Sequence, residues 1–77
     1  MPRRRLQDMS DDELGRHLRR LTARWEQTLR QLGALREAAA DALAVARASA
    51  LADWCGRRRQ SALEEVAFRR RYPGAGR

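Results

Sequence analysis

Seventy-seven residues make one domain at most, close to the size at which a single core is marginal without a disulfide, a metal or a partner chain. One cysteine, Cys55, excludes an internal disulfide and fits a reducing compartment, and no apolar run approaches the roughly 20 residues that cross a bilayer, so the chain reads as soluble and cytoplasmic with no membrane role. Seventeen arginines and no lysine stand against ten acids, a net +7 that draws polyanions; codon bias can exchange lysine for arginine but creates no net charge.

Residues 1–9 show no period. Pro2 and Arg3-Arg4-Arg5 read as a flexible basic arm, with Met9 placed to staple onto Leu14. Ser10-Asp11-Asp12-Glu13 is a capping box that starts a helix: the Ser10 hydroxyl accepts a backbone N–H three residues on, and Glu13 reaches back to the N–H of Ser10. From there Leu14, Leu18, Leu21, Trp25, Thr28, Leu32 and Leu35 alternate steps of four and three, one apolar stripe on one side of the helix. Gly33 interrupts it. A hairpin turn there is one architecture, but no loop residue or new cap follows in Ala34-Leu35-Arg36, which favours a helix continuous from Asp11 to Trp54.

Residues 34–54 are rich in alanine, with Leu35, Leu43, Val45, Leu51 and Trp54 as the larger apolar groups. Alanine is the best helix former, and its small side chain lets a neighbouring helix come close. A leucine-rich half and an alanine-rich half suit an antiparallel partner, either a second copy or, with a hairpin, the chain itself. Gly56 reads as the residue that ends this helix. Ser61-Ala62-Leu63-Glu64 then reads as a second capping box, starting a short helix that stops before Pro73. Residues 10–72 form one helical domain on this reading, and residues 73–77 a disordered tail.

Catalytic constellations are missing. His17 and Cys55 are single and 38 positions apart, no nucleophile elbow or phosphate loop occurs, and no metal-ligand spacing is present. The expectation is a non-enzymatic protein with no cofactor and no small-molecule substrate. Basic charge concentrates at the two ends, most of all in Arg57, Arg58, Arg59 and Arg69, Arg70, Arg71, which are candidates for phosphate contact. Arginines near a helix C-terminus also complement its dipole. Residues 51–72 partly resemble a helix-turn-helix, with Gly56 in the turn, although Glu64 and Glu65 would face DNA.

The expected fold is therefore all-α: a long amphipathic helix, with a hairpin break at Gly33 as the competing form, then a short C-terminal helix, assembled as a homodimeric bundle. The expected function is that of a regulatory or adaptor protein binding another protein through Leu14, Leu18, Leu21, Trp25, Leu32, Leu35, Leu43 and Trp54. Binding of DNA or RNA through the arginine clusters is the alternative.

Overall fold

A computed structural model describes residues 5–74, and all regular structure among them is helical. A 3-10 turn, Leu6–Asp8, leads into α1, Asp11–Glu37, which a short turn joins to α2, Ala42–Arg71. The two helices run antiparallel as a hairpin. Residues 1–4 of the basic arm and residues 75–77 of the tail lie outside the described residues.

Helix α1 begins as its sequence dictates. The Glu13 N–H donates to Ser10 Oγ at 3.1 Å, and the Ser10 N–H donates to Glu13 Oε1 at 3.3 Å, closing the capping box. Leu6 and Met9, both from the stretch read as an arm, pack against the cluster of Leu14, Leu21 and Ala62.

The break falls elsewhere than Gly33, and the continuous rod to Trp54 is also corrected. Helix α1 runs through Gly33 and ends in Ala38, Ala39 and Ala40. The Ala40 N–H donates to the Leu35 carbonyl at 3.0 Å and the Ala39 N–H to the Arg36 carbonyl at 3.2 Å, the two bonds of a Schellman ending. Ala39 adopts the left-handed conformation, φ 51°, that this ending requires and that glycine usually supplies. Asp41 then caps α2, accepting the N–H groups of Leu43 at 2.9 Å and Ala44 at 3.1 Å.

Helix α2 overrides two local signals. It passes unbroken through Gly56 and Ser61, so the expected helix end, the second capping box and the helix-turn-helix are all absent, and the short C-terminal helix is the second half of α2. The physical reason is the neighbour. Val45, Ala48, Ala52, Cys55, Arg59, Ala62, Val66 and Arg69 recur at steps of three and four, a stripe that α1 covers only if the helix stays continuous.

Asp11 opposite Arg69, Thr22 opposite Arg59 and Trp25 opposite Gly56 set the register. Along this seam the large residues come from α1 and the small ones from α2: Leu14, Leu21, Thr28 and Leu32 are buried against Ala52, Cys55 and Ala62. Burying each leucine contributes about 1.5–3 kcal/mol. A Cβ on Gly56 would stand 3.0 Å from Trp25 Nε1, so this glycine is the place where the Trp25 ring meets the backbone of α2.

Candidate interaction surface

The apolar face expected from the sequence divides in two. Leu14, Leu21 and Leu32 are buried in the seam, and Leu18, Trp25 and Leu35 are half-buried along it. These six meet α2 within the chain. Leu43 and Trp54 stay exposed on α2.

Sequence reasoning left out the residues that accompany Trp54. Leu51, Trp54, Phe68 and Tyr72 are 40%, 40%, 47% and 51% exposed and fall on one side of α2. With Arg58, Ser61 and Glu65 they form a second stripe at steps of three and four, 51, 54, 58, 61, 65, 68 and 72, beside the one that faces α1. Phe68 and Tyr72 stack at 5.2 Å between ring centroids, tilted by 49°. The period is visible in the sequence once α2 is known to be continuous. Ending a helix at Gly56 hides it.

The six C-terminal arginines also separate by role. Arg59 lies in the seam: its Nε donates to Thr22 Oγ1 at 3.0 Å, and its guanidinium sits 4.7 Å from the centroid of the Trp25 ring. Arg69 ties the open end of the hairpin, donating to Asp11 Oδ1 and to the Leu6 carbonyl, both at 2.9 Å. Arg58 leans back over Trp54, 4.9 Å from the ring centroid. Arg57, Arg70 and Arg71 are exposed. By the antiparallel register, Arg16, Arg19, Arg20 and Arg24 of α1 lie in the same half of the hairpin as both triads, so the basic charge gathers away from the turn.

His17 stands on the side of α1 that borders Arg58. Partial burial, and then the positive charges of Arg20 and Arg58, hold its pKa below the ordinary value of 6.5. The register sets Cys55 beside the level of Trp25, about 12 Å along the hairpin from His17, too far for a nucleophile and base to meet. Among the described residues no group of three or more His, Cys, Asp or Glu side chains is placed to hold a metal ion. No helix among them is long and apolar enough to cross a membrane.

No protein-family model, curated protein or solved structure matches this chain.

Proposed function

We propose that this chain is a small non-enzymatic adaptor or regulatory protein of the cytoplasm that works by binding another polypeptide along the exposed flank of α2. One observation carries the reading: large apolar residues that the hairpin leaves uncovered line up on a single side of one helix. Isolated exposed leucines are ordinary on a protein surface, whereas an ordered stripe containing Trp, Phe and Tyr has the composition of an interface core. An amphipathic partner helix fits such a stripe through anchors at the same three-four spacing.

Photocrosslinking tests this. Benzoylphenylalanine placed at Phe68 captures a polypeptide from native lysate in a nuclease-resistant adduct, while the same group at Ala23, on the exposed outer side of α1, captures none. No adduct at Phe68, or equal adducts at both sites, overturns the reading.

The basic half of the hairpin supports a second reading, contact with DNA or RNA phosphates through Arg57, Arg70 and Arg71. Its signature is affinity for random duplex DNA that falls steeply with salt, with a shallower slope in Arg57→Ala and Arg71→Ala. A flat or absent signal removes it.

A further inference from the structure

The order of residues along this exposed stripe of α2 is self-complementary about its centre: large apolar groups mirror large apolar groups, and a base stands where its reflection has an acid. From Leu51 to Tyr72 it reads two large apolar groups, Leu51 and Trp54; a base, Arg58; a small hydroxyl, Ser61; an acid, Glu65; and two large apolar groups, Phe68 and Tyr72. A two-fold axis requires this kind of pattern of a surface that binds its own copy, because each residue i that meets j must also be met by j.

We propose that two copies of this chain pair antiparallel along α2 about a two-fold axis crossing the helix near Ser61. The inference rests on the reading that this side of α2 is a binding surface, and it names the occupant. In the pair, Leu51 and Trp54 of each copy lie alongside Phe68 and Tyr72 of the other, and Arg58 lies beside Glu65 of the partner subunit, twice by symmetry.

Charge selects this arrangement. Within one helix Arg58 and Glu65 are about 10.5 Å apart along the axis, beyond the three- and four-residue neighbours that interact. Arg58 leans the other way, over Trp54, and Glu65 makes no ion pair with a described residue. The antiparallel pair joins them. A parallel pair would set Arg58 against Arg58 and Glu65 against Glu65, which repel. Arg20 of α1, which acts with Arg58 on His17, lies by the antiparallel register at the level of Ser61 and adds to the positive field that the partner's Glu65 enters.

Size sets the strength. The stripe runs about 31 Å along a helix about 10 Å wide, so the interface lies below the standard size and the dimer belongs in the weak, micromolar class.

Sedimentation equilibrium on the full chain from about 5 to 500 µM tests the inference over that affinity range. The wild-type chain is expected to show a reversible monomer–dimer equilibrium. Arg58→Glu and Glu65→Arg each raise Kd about tenfold or more, and the double charge swap returns it to within about threefold of wild type. Circular dichroism checks that every variant keeps its helix. A monomer throughout the range overturns the inference, as does a dimer that neither reversal weakens or the swap fails to restore. A monomeric chain that still crosslinks a foreign polypeptide at Phe68 overturns the self-pairing and leaves the adaptor reading standing; a monomer that captures nothing overturns both.

Discussion

Helix α1 turns most of its large apolar side chains toward its neighbour, with Leu29 the exposed exception, whereas α2 turns most of its large ones away. Leu14, Leu21 and Leu32 of α1 are buried, while Leu43, Leu51, Trp54 and Phe68 of α2 and Tyr72 at its C-terminal cap remain exposed. Geometry accounts for the contrast. Two helices in contact share one seam, and when one supplies leucine and tryptophan the other fits closely with mostly small residues such as alanine, cysteine or glycine. The bulky groups of α2 then have no place inside a two-helix unit. A hairpin of this kind is complete along one side of α2 and open along the next.

The largest effect follows from exchanging one leucine on each side. Leu14 is 1% exposed against Ala62, which is fully buried, and Leu14→Ala is expected to lose about 2–5 kcal/mol, enough to remove most of the cooperative unfolding transition of so small a chain. Leu51→Ala is expected to lose about 0.5 kcal/mol in dilute solution, and to weaken the proposed self-association instead. Urea titrations monitored by circular dichroism read the first effect, and sedimentation the second. Equal losses of stability would mean that the two helices do not differ in the way described.

Glycine sharpens the same contrast at a smaller scale. A Cβ at Gly33 meets nothing within 4 Å, so Gly33→Ala is expected to gain about 1 kcal/mol from helix propensity alone. Gly56→Ala brings the same propensity, but its Cβ would stand 3.0 Å from Trp25 Nε1, and the Arg59 guanidinium 4.7 Å from the Trp25 ring centroid limits the room for that ring to move. Gly56→Ala is expected to fall about 1 kcal/mol or more below Gly33→Ala, neutral or destabilising overall. Thermal melts of the two variants side by side check this. A matching gain at Gly56 would show that Trp25 has slack and that the seam there is loose.

These two glycines also explain how far the fold was legible in the sequence. The capping box at Ser10 and the stripe from Leu14 to Leu35 rest on local chemistry and short-range period, and both stand in the structure as read. The alanine-rich stretch is helical except at residues 38–41, where the turn falls, and from Ala42 on it lies antiparallel to the leucine-rich half, as side-chain size implies. The helix continues through Gly33 as the favoured reading had it, whereas Gly56 and Ser61 misled because each is a punctuation residue whose local meaning a packed neighbour overrode. The exposed stripe was legible only in part: Trp54 stood out as a tryptophan, while Leu51, Phe68 and Tyr72 join it only when the helix between them is unbroken.

The turn was the hardest feature to read, because an alanine occupies the position where glycine announces a helix end. Ala39 at φ 51° carries a Cβ in the left-handed region, and Ala39→Gly is expected to gain about 0.5–1 kcal/mol, less what glycine returns to the unfolded chain. Ala40→Gly, one residue on, relieves no such conformation and is the control in the same urea titration. The turn matters beyond its own energy because its position sets which residues meet. Folding back at Gly33 would bring Leu14 opposite about residue 52 and leave the second half of α2 without a neighbour. Folding back at residues 38–41 brings Leu14 to the level of Val66 and Asp11 to Arg69, so that the small stripe of α2 is covered along its whole length. If Ala39→Gly gains no more than Ala40→Gly, the helix ends by some other route, and the register that turns the large residues of α2 outward would have to be drawn again.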